Sequence, residues 1–152
     1  MNITKFLRKQ SIKDARGQSL VEMTLGFTVI LYLLLGAVEF SLALFQYVTM
    51  RDAAQEGAIY ASIKPTDAAG IRDRAIAAAS DVLVMDEANV SVNLVGSDYC
   101  EGLSDSGVPN AIQIEIAYPH EIFLPLVTPM IGTDTINLKA NVTNTILQPM
   151  CE

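Results

Sequence analysis

Across residues 23–50 the chain carries one charge, Glu39, and no proline interrupts residues 18–64. Sixteen uncharged residues precede Glu39 and eleven follow it. A membrane span needs about 20 largely apolar residues, so neither piece suffices alone and the two together exceed the need. Only Gly26, Gly36 and Gly57 weaken the helix propensity, and Pro65 supplies a stop. The pattern predicts one continuous helix over residues 19–63, membrane-spanning in about 22–46. At 1.5 Å per residue that helix is roughly 65 Å long, about twice the hydrocarbon thickness, so part of it must leave the membrane or pack on something else.

The net charge of −7 hides an asymmetry. Residues 1–17 hold five basic residues against Asp14, a net +4, whereas the remainder holds five basic and 16 acidic residues, a net −11. A basic head before an apolar run keeps the N-terminus cytoplasmic. The acidic remainder argues against nucleic acid as a partner, because phosphate neutralisation needs clustered Lys and Arg. A secretory signal is a competing reading, with Ser41-Leu42-Ala43 as a cleavage site. Its polar head would be unusually long and its core would contain Glu39.

Two carboxylates mark the apolar run. Glu22 and Glu39 are 17 residues apart, roughly 25 Å along a helix. They suit the two faces of a bilayer, where a carboxylate costs far less than at its centre. Alternatively, one or both meet a cation of a neighbouring chain once helices are bundled.

Arg16-Gly17 followed by Gln18-Ser19-Leu20-Val21-Glu22 and the apolar run resembles the signal of type IV prepilins. The resemblance implies that a membrane-embedded prepilin peptidase cuts between Gly17 and Gln18. It also implies that Glu22, fifth in the mature chain, pairs with the new terminal ammonium of a neighbouring subunit. Gly36-Ala37-Val38-Glu39-Phe40 and Ala53-Ala54-Gln55-Glu56-Gly57-Ala58-Ile59-Tyr60-Ala61 narrow the likeness to TadE-like proteins, the pilin-like subunits of tight-adherence pilus systems. Ser41, Ile59 and Thr28 depart from residues usual in that family. The likeness covers about residues 16–62.

The alanine block has a physics of its own. Ala53, Gly57 and Ala61 recur at four-residue spacing with Ala54 and Ala58 beside them, a stripe of small residues that lets another element approach closely. Good helix propensity alone also explains alanine, but not Gly57, which costs about 1 kcal/mol relative to Ala. Spacing leaves open whether the stripe packs within the chain or on another subunit.

Beyond Pro65, Thr66-Asp67 can cap a second helix over 67–83, with Ile71, Ala75, Ala78, Ala79 and Val82 on its apolar side. Alternating stretches at 89–95, 111–118 and 135–146 read as strands with one buried face. The expected class is α+β: a long transmembrane helix continuing into a small head with a second helix and an antiparallel sheet of three or more strands. Residues 1–17 would be a cytoplasmic leader, 18–64 the long helix and 65–152 an extracytoplasmic head. The apolar, proline-rich connection at 119–132 reads as a buried crossover or as an exposed patch for a partner subunit.

Cys100 and Cys151 are the only cysteines. With the head outside the cytoplasm they make one disulfide, closing a loop of about 50 residues and worth roughly 2–4 kcal/mol; two free thiols are the alternative. His120, the only histidine, is expected in a surface loop at a strand end. Asp98, Glu101 and Asp105 fit no EF-hand spacing, and no cluster has metal-ligand spacing. No catalytic site, cofactor or metal is expected. The resemblance therefore implies a structural subunit that works by association: its partners are other pilin subunits, in a homo- or hetero-oligomeric filament, prepilin peptidase and the inner membrane. The runner-up is an unprocessed single-pass protein anchoring a binding or sensor module; an extracytoplasmic enzyme is a third reading.

Overall fold

The computed structural model describes residues 3–99, 107, 109–124, 128, 129 and 132–148, with side chains from residue 17 onward. Helix α1 spans Ile3–Ile63 and α2 spans Ala68–Ala79; strands β1 (Val90–Val95), β2 (Ala111–Glu121) and β3 (Thr135–Thr145) follow. The class is α+β, as the sequence pattern requires, with antiparallel strands in the order β1-β2-β3. Two compact units result, Met1–Phe40 and Ser41–Glu152.

Helix α1 begins about 16 residues earlier than the apolar pattern alone implies. No proline or glycine lies between Ile3 and Arg16, and Lys and Arg recur there beside Leu7, Gln10 and Ala15, all good helix formers. The C-terminus falls where expected, at Ile63 before Pro65. Helix α2 is shorter than expected. Asp67 caps it, accepting from Gly70 N–H at 3.0 Å. At its other end the Ser80 hydroxyl donates to Ala77 O at 2.8 Å, competing with the helical ladder. The chain then leaves the helix in a turn, with Leu83 N–H still reaching Ala79 O at 2.8 Å. The buried side of this segment is Ile71, Ala75, Ala79 and Leu83, while Ala78 and Val82 are exposed.

Within the second unit one core joins three layers of side chains. Met50, Ala53, Ala54, Ala58 and Ala61 of α1 meet Ile71, Ala75 and Ala79 of α2 and Val90, Ile112, Ile114, Ile116 and Ala140 of the sheet. Small residues on α1 and isoleucines on the central strand are complementary: alanine lets the helix come close and isoleucine fills the space. Even-numbered residues of β2 face this core and odd-numbered ones face away, where Lys139 donates to Glu115 Oε1 at 2.9 Å on the exposed side.

Strand β2 outruns β1. Its residues from Ala117 to Glu121 pair only with β3, from Lys139 to Thr135. Pro119 is tolerated there for a specific reason. Asn89 Nδ2 donates to Ala117 O from the β1 side at 2.9 Å, and Ile122 N–H donates to Asp134 O on the β3 side at 2.8 Å. Pro119 shares the parity of Ala117, so its missing N–H falls on the open edge and costs no ladder bond.

The connection after β2 is neither wholly a buried crossover nor wholly a patch. It closes a β2–β3 hairpin, with Leu124 buried and Phe123 exposed.

Candidate functional site

The candidate site is the first part of α1. Leu20, Val21, Met23, Leu25 and Phe27 lie on different faces of the helix and are each more than 60% exposed. A helix apolar on every side has no face suited to water and belongs in lipid or among other apolar helices. Gly17–Ile63 is long and apolar enough to cross a membrane by length and composition. Its hydroxyls suit that setting: Thr24 donates to Leu20 O and Thr28 to Thr24 O, both at 2.8 Å, so neither needs water.

Gly17 and Gln18 are exposed and lie inside α1, not in an extended loop. No proline separates them from the apolar run, so the helix continues through the bond between them. A Cβ at Gly17, Gly26 or Gly36 would meet nothing within 4 Å. Glu22, one turn beyond Gln18, is exposed, and Glu39 is half-buried. The structure brings neither glutamate to the other.

Ala53, Ala54, Gly57, Ala58 and Ala61 are buried. A Cβ on Gly57 would stand 3.2 Å from Ala75 Cβ and 3.4 Å from Ile71 O, so this glycine allows the close approach of α2. The stripe's neighbours are α2 and the sheet of the same chain. Cys100 and Cys151 lie outside the described residues, as do Glu101 and Asp105. Among the described residues no group of three His, Cys, Asp or Glu side chains could hold a metal ion.

His120 corrects the surface-loop expectation. It is 3% exposed, near the end of β2, with Nδ1 2.8 Å from Gln46 Oε1 of α1. The signal was in the parity: Ile112, Ile114, Ile116, Tyr118 and His120 share one strand face, so a strand continued through Pro119 puts the imidazole on the core side. A second missed device ties the two helices of the head. Tyr60 Oη donates to Asp67 Oδ2 at 2.8 Å, and Lys64 Nζ and Arg74 Cζ each lie 5.7 Å from the Tyr60 ring centre. The Gly70 N–H, then the Tyr60 hydroxyl and the Lys64 charge, hold the Asp67 carboxyl below the usual carboxylate range. At the sheet's far end Asn110 is fully buried and accepts from Ser97 N–H at 3.0 Å. Gly96, at φ 129°, is needed beside it, because a Cβ would collide with the Asn110 amide.

With this geometry in place, the comparison with known families bears on α1. Residues 17–58 match the family model of TadE-like protein. Over these residues the chain is similar to TadE-like proteins. The match begins at Gly17, runs through the exposed apolar helix and ends in the buried alanine block. The matched residues include most of the helix that is long and apolar enough to cross a membrane. The head beyond residue 58 lies outside the TadE-like match, and no curated protein and no solved structure matches the chain.

Proposed function

We propose that this chain is a pilin-like structural subunit of a tight-adherence pilus or of its assembly machinery. Prepilin peptidase cuts it between Gly17 and Gln18, and it assembles through α1 from the inner membrane, with its N-terminus cytoplasmic and its head extracytoplasmic. The observation that carries the proposal is the TadE-like match lying on a helix whose apolar side chains are exposed all round. The chemistry follows from charge. Cleavage creates an ammonium at Gln18, and Glu22 of a neighbouring subunit neutralises it where unpaired charge is costly. Glu39 meets a further cation on bundling, and Cys100 and Cys151 close one disulfide in the head. The protein acts by association, not by catalysis.

The cut bond sits within a helix, so the peptidase must unwind it locally. Gly17 lowers the cost by about 1 kcal/mol relative to Ala. The mass of the mature chain tests the proposal: loss of residues 1–17 with Gln18 as the new terminus is expected. Recovery of membrane-extracted protein still bearing Met1 or Lys5 sinks it. Gly17→Leu should leave the chain uncut, while Glu22→Gln should spare the cut and impair assembly. Reduction and alkylation should add two labelled thiols that are absent without reductant.

The continuity of α1 through Gly17 and Gln18 favours a second reading, an unprocessed single-pass protein that anchors a binding or sensor module. It requires the full-length mass in membranes and no incorporation into filaments.

A further inference from the structure

Three contacts fix how the sheet lies along the part of α1 in the second unit. Leu147 N–H donates to Ser62 O at 2.8 Å, Asn144 Nδ2 lies 3.5 Å from Ala58 O, and His120 Nδ1 lies 2.8 Å from Gln46 Oε1. Ile146 N–H donates to Asn110 O at 3.0 Å, which places the start of β2 beside the Ser62 end. Strand β2 therefore runs antiparallel to α1 and reaches the level of Gln46 at its end. The β2–β3 connection emerges there.

Gln46 lies about one turn before the apolar run gives out: residues 40–50 are uncharged and Arg51 is the first cation after Arg16. The last residues of the span, from Ser41, belong to the same compact unit as the head. A cavity of about 310 Å³ opens at this level, lined by Gln46, Val84, Pro119, His120 and Phe123 among others. Val84 is 92% exposed and Phe123 71% exposed. Residues 122–133 carry no charge, although both sides of them do, at Glu121 and Asp134. Large apolar side chains in the open, rimmed by acids, mark a surface that is covered by something apolar. At the height where a membrane span ends, that something is the boundary between lipid headgroups and acyl chains. Glu121 lines the cavity and Asp134 lies beside Ile122, and these acids suit zwitterionic headgroups, since an anionic surface would repel them.

We propose that Phe123 and Val84 insert into the adjoining leaflet at a phospholipid surface, with the His120–Gln46 hydrogen bond holding the root of the β2–β3 connection at that height. The inference rests on reading α1 as a membrane span, and it gives the head a second point of attachment to the bilayer besides the helix. The aromatic ring and the valine enter about 5–10 Å below the surface, the depth typical of interfacial side chains.

The chain has no tryptophan, so one can be introduced as a unique probe. Phe123→Trp, Val84→Trp, Phe27→Trp and Leu147→Trp are each made in the full chain and reconstituted into phosphatidylcholine vesicles carrying acyl-chain bromines. Position 27 reports the span, and position 147, exposed at the Ser62 end, reports the aqueous side. Bromine quenching of the probes at 27, 123 and 84, with none at 147, is the expected result. Quenching at 27 while 123 and 84 behave like 147 overturns the insertion and leaves the span standing. No quenching at 27 removes the span and the insertion with it. A blue shift at 123 that grows with protein-to-lipid ratio, without bromine quenching, assigns the surface to a neighbouring copy and also overturns the proposal.

Discussion

Gly36 and Gly57 sit in one helix, each costing about 1 kcal/mol relative to alanine, yet their surroundings differ. In the unit Met1–Phe40, a Cβ at Gly26 or Gly36 meets nothing, and leucines, valines and phenylalanines stand exposed around it. In the unit Ser41–Glu152, Gly57 is closed in by Ala75 and Ile71, and the exposed side chains on α1 alternate with a buried stripe. Among the described residues, the small side chains of the second stretch are explained by their neighbours in the same chain, and those of the first are not. One helix thus serves two media. Where it meets a sheet, residue size is dictated by the neighbour, and where it meets lipid or other helices, only apolarity is.

Substitutions can break that contrast. The largest effect should come from Ile114→Ala on the central strand, about 2–5 kcal/mol less stable in denaturant unfolding of the detergent-solubilised chain; Leu25→Ala in the span should leave the head's transition in place. Equal losses from the two would erase the distinction. Next, Gly57→Leu should overpack the α1–α2 contact at a cost of about 1–3 kcal/mol, whereas Gly36→Leu should not move the head's transition at all. A comparable cost, about 1–3 kcal/mol, is expected for Gln46→Leu, which takes away the partner of a buried imidazole nitrogen.

The smallest effect concerns Asp67 and sharpens the comparison by its pH dependence. Its carboxyl is held below the ordinary value by the Gly70 N–H and the Tyr60 hydroxyl. A group whose folded value is lowered adds stability above its unfolded value, about 3.9 for Asp, and loses it as the pH falls through the folded value. Asp67→Ala should therefore lower the head's unfolding midpoint at neutral pH, and the gap from the parent should shrink on acidification below about pH 3.9. A gap that stays constant with pH would falsify the role of the ionised cap.

Much of this was legible in the sequence, and the failures have identifiable causes. The long helix, its stop at Pro65, the second helix and three strands follow from period and breakers, because one face of each element must be buried. The start of α1 was misplaced because a hydropathy pattern marks where a membrane run begins, not where a helix does; residues 3–16 are helical by propensity without being apolar. Pro119 ended the expected strand too early, since a proline breaks a ladder only where its N–H would have pointed at a partner. That error also sent His120 to the surface. The Tyr60–Asp67 hydrogen bond joins residues across a turn and leaves no periodic trace.

One feature of the head bears on its making as well as its stability. The last carbonyl of α1 to be capped, Ser62 O, accepts from both Leu147 and Gln148, at 2.8 and 3.2 Å. Its partners come from the far end of the described chain, with α2 and all three strands synthesised in between. A ribosome delivers α1 well before these two residues, so the clasp at the helix end can close only when the sheet has been delivered. Contacts this distant in sequence slow folding. The growing chain can cover the Gly57 side of the alanine stripe with α2 at once, but the side that faces the sheet stays uncovered until β3 arrives.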